Sequence, residues 1–213
     1  MVLAAVEGCG TAAGDRRSTV EPMPATVVRH VMEPALLPGA TGRADLRSAE
    51  RAALVGSLSE ALARSGATGS SPEDGGTAVL PVPSVLVVAP ARRSLRTTDG
   101  RADLGALGLD RAALPSGLDA RALGTGSPET PSLDVVAGVA VTLLALAGWH
   151  GPVETVERGG PEAETVVLDD VLAGRRLVLV ALAAHDAVLP AGAHPGLAAG
   201  QQQVWALAER WLG

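Results

Sequence analysis

Two uninterrupted apolar stretches, residues 82–89 (VPSVLVVA) and 177–184 (LVLVALAA), dominate the pattern along the chain. Neither alternates inward and outward positions, so each predicts a strand covered on both faces, as in a parallel sheet. Residues 25–31 (ATVVRHV) are short and β-branched and predict a first strand. Residues 153–157 predict another, with Val153 and Val156 as its only apolar anchors. Helical spacing lies between these runs. From about Arg43 a helix places Leu54, Val55, Leu58 and Leu62 on one face and stops at Gly66. Residues 133–149 predict a buried helix, with Pro131 blocking extension backwards, Ser132 as N-cap and Gly148 or Gly151 as the stop. Residues 201–212 predict an amphipathic closing helix anchored by Trp205, Leu207 and Trp211. Residues 164–172 suit a short helix, and the Gly/Ser/Thr-rich stretch 67–76 a loop. Residues 92–126 predict an irregular connection with one short helix near Asp110.

Strands alternating with helices predict an α/β fold, a three-layer α/β/α sandwich around a mainly parallel central sheet. We place it in a single domain over residues 25–213, after an N-terminal extension over residues 1–24. The length of 213 residues suits one domain with a substantial core. Composition restricts what fills that core. Phe, Tyr, Ile, Asn and Lys are absent, which fits GC-rich coding, so Val, Leu and Ala must do the packing beside three Trp. Small side chains fill space only when helices approach the sheet closely.

The net charge of −6, with every cation an arginine and no basic stripe, argues against a nucleic-acid partner. Residues 133–149 fall short of the ~20 apolar residues of a membrane span and contain Asp134, Gly138 and Thr142, so no membrane association is expected. The single cysteine, Cys9, has no internal partner, and a reducing, cytoplasmic setting is expected. A lipid anchor on Cys9 is the distant alternative: the stretch before it lacks a basic start and contains Glu7.

Phosphate-binding GxxxxGK[ST] and GxGxxG, the nucleophile elbow GxSxG, and the metal motifs CxxC and HExxH are all missing. Position is the remaining guide, because ligands of open α/β sheets sit beyond the carboxyl ends of the strands. His30 and Glu33 follow the first strand, Arg92, Arg93 and Ser94 the second, and His185, Asp186 and His194 the last. Two His and a carboxylate suit Fe(II) or another divalent metal, which makes His30, Glu33 and His185 the candidate ligands. His185 and Asp186 are the candidate catalytic pair. Arg92, Arg93 and His194 are candidate contacts to a small-molecule substrate, since paired guanidiniums clamp a carboxylate. Surface and capping roles suit the same residues, and a metal-free domain fits equally well.

PALLPG with the Arg/Ala-rich helix after it, then VLVVAPARRS, SLDVVAGVAVTLLALAGWHGPVE and LVLVALAAHDAVLPAGAHPG, occur in an order that resembles the class III extradiol ring-cleavage dioxygenase family, in the form found in high-GC actinobacteria. The resemblance covers patches from Thr26 to the C-terminus. It implies an α/β fold and a metal-dependent, dioxygenase-like oxidoreductase acting on a small aromatic or polar substrate. The chain departs from the family at the chemistry. Glu33 stands in the turn Met32-Glu33-Pro34-Ala35 where the family's catalytic members carry an iron-serving His, and the last turn reads His185-Asp186-Ala187. The alternative is a non-catalytic α/β scaffold or a component of a larger assembly, a homo-oligomer included, with the Trp205/Trp211 helix as interface.

Overall fold

In the computed structural model the described residues are 25–40, 47–67, 84–98, 100–102, 130–160, 172, 174–184 and 195–212. The chain forms β1 (Thr26–Met32), a 3₁₀ turn at Pro34–Leu36, α1 (Ser48–Ser65), β2 (Val85–Pro90), β3 (Leu95–Thr98) and β4 (Arg101–Ala102). It continues through β5 (Ser132–Leu133), α2 (Val135–Leu146), β6 (Val153–Arg158), β7 (Leu177–Ala183) and α3 (Pro195–Leu212). Five strands make the main sheet in the order β1-β7-β2-β6-β3. The first four run parallel, and β3 closes one edge antiparallel to β6.

Both faces are covered, as the continuous apolar runs require. Val85, Val87 and Ala89 of β2 join Leu177, Leu179 and Ala181 of β7 beneath α1 and α2. Leu86, Val88, Val178 and Val180 point the other way, against Val204 and Ala208 of α3. The expected three-layer arrangement is therefore present. In α2 the consecutive residues Val136, Ala137, Gly138, Val139 and Ala140 are all buried, so burial runs round the helix, and the one hydroxyl, Thr142, donates to the Gly138 carbonyl at 2.8 Å. Gly66 ends α1 in the left-handed conformation (φ 61°).

Close approach of helix and sheet is most extreme at α3. Gly196, Gly200, Val204 and Ala208 recur every four residues and form its buried stripe. A Cβ on Gly200 would lie 1.9 Å from the Arg158 carbonyl oxygen and 3.4 Å from the Ala91 nitrogen. The helix backbone thus rests on the hydrogen bond from Ala91 N to Arg158 O (2.7 Å) that ties the end of β2 to the end of β6.

Four local expectations are corrected. Ser132 does not cap α2: it lies in β5, paired with Arg101 of β4, and Asp134 caps instead by accepting from Val135 N at 2.8 Å. The connection after residue 92 is not irregular at its start, because β3 and β4 occupy it. In β6 all six residues are buried, the charged Glu154, Glu157 and Arg158 included, so apolar alternation understates its burial. In α3, Val204 and Ala208 are the fully buried anchors; Leu207 and Trp211 pack against the same core half-buried, as expected, but Trp205 is exposed. Other expectations lie outside the described residues: the extension over residues 1–24, the loop over 68–76, the helix near Asp110, and residues 164–171 of the short helix.

The charge at the start of β6 is met by partners from two other segments. Glu154, near its start, holds the buried Arg175 guanidinium and also accepts from Arg96 Nε of β3 at 2.7 Å. Removing one partner of such a pair strands the other in a low-dielectric interior, so β6 depends on the edge strand and on the approach to β7 together.

Candidate functional site

At the carboxyl ends of β2 and β6 the chain brings together Arg92, Arg93, Asp134 and Glu157. Each has a separate local reason for being there. Arg92 and Arg93 belong to the turn that reverses the chain from β2 into β3. Ser94 fixes that turn by donating to the Gly159 carbonyl (2.8 Å) and accepting from Gly159 N (3.3 Å). Gly159 is required at this point, since a Cβ there would lie 2.1 Å from the Ala91 carbonyl oxygen. Asp134 enters from the start of α2, held in extended conformation by the short β4–β5 pair.

Asp134 Oδ2 accepts from both the backbone N (2.8 Å) and the side-chain Nε (3.0 Å) of Arg92. Burial pulls the Asp134 carboxyl upward, but the Arg92 backbone, the Arg92 guanidinium and the Val135 N–H outweigh it and hold the group below its usual range. Its own backbone N–H donates to Glu157 Oε1. Glu157 is 1% exposed, and its Oε2 has no hydrogen-bond partner among the described residues. Burial pushes this carboxyl up to about 7; the Asp134 N–H and the charges of Arg93 and Arg92 oppose the rise without cancelling it. Two neighbouring carboxyls therefore differ in charge near neutral pH, Asp134 ionised and Glu157 holding a proton for about half the time at pH ~7.

In front of this pair lies a cleft of about 450 Å³ lined by Arg92, Arg93, Ser132, Leu133 and Asp134. Both arginines are exposed. Arg92 is already committed to Asp134, whereas Arg93 has no ion-pair partner among the described residues. The arrangement can bind an oxyanion at Arg93, with the charge on the buried Glu157, one hydrogen bond behind Asp134, setting the local potential.

The residues expected from strand position are placed as follows. Arg92 and Arg93 line the cleft together. His30 lies on β1, opposite Ala181 of β7, with its Nε2 3.3 Å from Ser57 Oγ of α1. Burial lowers its pKa and favours the neutral ring. Glu33 leaves β1 in the turn before Pro34, and its Oε2 accepts from Arg47 Nη1 at 2.8 Å. A cation held by His30 and Glu33 would have to compete with Ser57 and Arg47, and among the described residues no group of three His, Cys, Asp or Glu could hold a metal. His185, Asp186 and His194 lie outside the described residues.

Asp134 and Glu157 are not among the residues that the sequence singles out as candidates. Both carry a signal. Asp134 directly precedes an apolar helix, and Glu157 ends a strand just before Gly159-Gly160, where the strand-end rule applies as well as it does after β2.

No protein-family model, no curated protein and no solved structure matches this chain. No helix among the described residues is long and apolar enough to cross a membrane.

Proposed function

We propose that this chain binds a small anionic molecule at the carboxyl ends of β2 and β6, the ligand being a polar or aromatic carboxylate. One observation carries the reading: two arginines and an ionised aspartate line a cleft directly in front of a buried carboxyl that titrates near neutrality. Arg93 supplies the guanidinium for a two-point contact to a carboxylate. Arg92, pinned by Asp134, forms a fixed wall and does not swing towards the ligand. With Glu157 protonated the four side chains carry a net positive charge, which suits an anion; loss of that proton brings the sum to zero.

Titration calorimetry with benzoate-type and 2-hydroxy-acid ligands tests the reading. At least one is expected to bind, and Arg93→Ala to weaken it about tenfold or more, the size of a charge-assisted contact. Affinity should fall as pH rises through about 7, following Glu157. Failure of every ligand at millimolar concentration, or equal binding by Arg93→Ala, removes the proposal.

A second reading, a metal-dependent dioxygenase-like enzyme on a small aromatic or polar substrate, draws on the pairing of β1 with β7. Their parallel register sets Met32 beside Ala183, so the Glu33 turn leaves the sheet next to the chain leading to His185. Fe(II) or another divalent cation on His30, Glu33 and His185 is its specific form, with Asp186 and His194 beside the substrate. Metal analysis of protein purified without chelators decides it: stoichiometric Fe, Mn or Zn supports this reading, and trace amounts of all three remove it. A cytoplasmic location accompanies both readings, on the ground of the lone Cys9.

A further inference from the structure

Asp134 is the carboxylate that lines the cleft at the ends of β2 and β6; Glu157, 1% exposed, lies behind it. An ionised carboxylate offers about four acceptor positions. Three are occupied at Asp134: Arg92 N and Nε both donate to Oδ2, and Val135 N donates to Oδ1. Oδ1 therefore keeps one position without a donor among the described residues, in a side chain 11% exposed at the cleft wall.

The charges of the cleft suit a ligand with a single negative charge. Arg92 and Asp134 are paired at 3.0 Å, which leaves the Arg93 guanidinium as the uncompensated charge of the lining. A dianion would bring one of its charges against Asp134. The lining also offers little to a ring, because Leu133 is its one apolar side chain and is 6% exposed. Sites for rings are lined mainly by apolar and aromatic side chains. Here Ser132, half-buried, adds a hydroxyl instead. What the open position on Oδ1 accepts is a donor carried by the ligand. A hydroxyl donates without adding charge. An ammonium would place a second cation beside Arg92, which already holds the same carboxylate, and like charges at that range repel.

We propose that the cleft selects a small hydroxy monocarboxylate, with Arg93 holding the carboxylate and Asp134 accepting from the ligand hydroxyl. The inference rests on the carboxylate reading above and narrows it from polar or aromatic acids to hydroxylated ones. Asp134 is then the residue that determines specificity, since a hydrogen bond to an ionised carboxylate is stronger than one to a neutral acceptor.

Calorimetric titration of the full chain at about pH 6, where small carboxylic acids are ionised, tests it. Lactate is set against propionate, which lacks only the hydroxyl, and against alanine and benzoate. Lactate is expected to bind about tenfold more tightly than propionate, the worth of one charge-assisted hydrogen bond at an exposed site. It should also exceed alanine and benzoate. In Asp134→Asn the ratio of lactate to propionate affinity should shrink to about threefold or less, because an amide oxygen accepts less strongly. A general loosening of the cleft would weaken both ligands alike and leave that ratio where it was. Equal binding of lactate and propionate to the native chain overturns the selectivity while the carboxylate reading stands. Tighter binding of alanine or benzoate overturns it in favour of an ammonium or a ring. An Asp134→Asn chain that keeps the full ratio overturns the role of Asp134; should that variant fail to fold, the native series decides alone. Failure of every acid at millimolar concentration removes both readings.

Discussion

Gly200→Ala is expected to remove about 3 kcal/mol or more of folding stability, from a single methyl group in a helix where alanine is normally the better residue. The methyl would meet the Arg158 carbonyl oxygen at 1.9 Å, a backbone atom that cannot rotate aside as a side chain could. Relief requires α3 to lift from the sheet, which pulls Val204 and Ala208 out of the core they share with Val88, Val156 and Val180. The same movement loosens the Ala91–Arg158 hydrogen bond that aligns the ends of β2 and β6, and with it the cleft. Gly56→Ala provides the contrast. An added Cβ there has nothing within 4 Å. This exposed position in α1 should therefore gain about 0.5–1 kcal/mol. Urea denaturation of both variants checks the pair. Equal midpoints for Gly200→Ala and the native chain would show that α3 does not lie where the structure puts it.

The second large effect is a dependence of stability on pH that Glu157→Gln should abolish. The folded pKa of Glu157, about 7, lies above the ordinary carboxyl value of 4.5. Between those two values the native state binds more protons than the unfolded chain, so stability falls as pH rises. The contribution is complete below the unfolded value and gone above the folded one; its full span is on the order of 3 kcal/mol. Asp134 acts in the opposite sense at lower pH, its depressed value giving stability that is lost as pH falls. Asp134 titrates in both proteins, so subtracting the two profiles isolates Glu157. The Gln variant retains an acceptor for the Asp134 N–H but carries no charge. It should therefore fall about 1–2 kcal/mol below the native protein at about pH 4, the cost of its buried, unpartnered amide, and exceed it by a similar amount at about pH 8. Parallel profiles between about pH 4 and about pH 8 would falsify the placement of a titrating carboxyl in this position.

These effects arise where the sequence is least legible. The strands β2 and β7 can be read directly, because uninterrupted apolar runs leave few structural alternatives. The start of α2 is harder: Ser132 and Asp134 are both good caps, and β4 makes the choice, since its pairing keeps Ser132 extended. In β6 the letters VETVER suggest a strand half open to water, yet all six residues are buried. Arg175 and Arg96 neutralise Glu154, and Glu157 accepts a shifted pKa. Both solutions rely on residues 21 or more positions away in the chain, beyond the reach of any local pattern. In α3 the obstacle is of another kind. Large rings look like anchors, but a helix pressed onto backbone needs its smallest residues inward, and Trp205 stays outside.

The candidate site divides in the same way. Arg92 and Arg93 are accessible from the sequence because the strand-end rule depends only on locating β2. Their partners are not: Asp134 and Glu157 reach the same cleft from two other segments, and only the neighbour relation β2-β6 in the sheet order puts them there. By itself the sequence determined the layering, the parallel core, the covering of both sheet faces and the absence of a ready-made catalytic motif, because these follow from local periodicity and residue type. The tertiary structure alone decided which strands are neighbours, which two of the described strands form the edges of the sheet, and which carboxyl carries a proton near neutral pH. Those outcomes depend on burial and on charges brought together from distant segments, and neither quantity exists until the chain has folded.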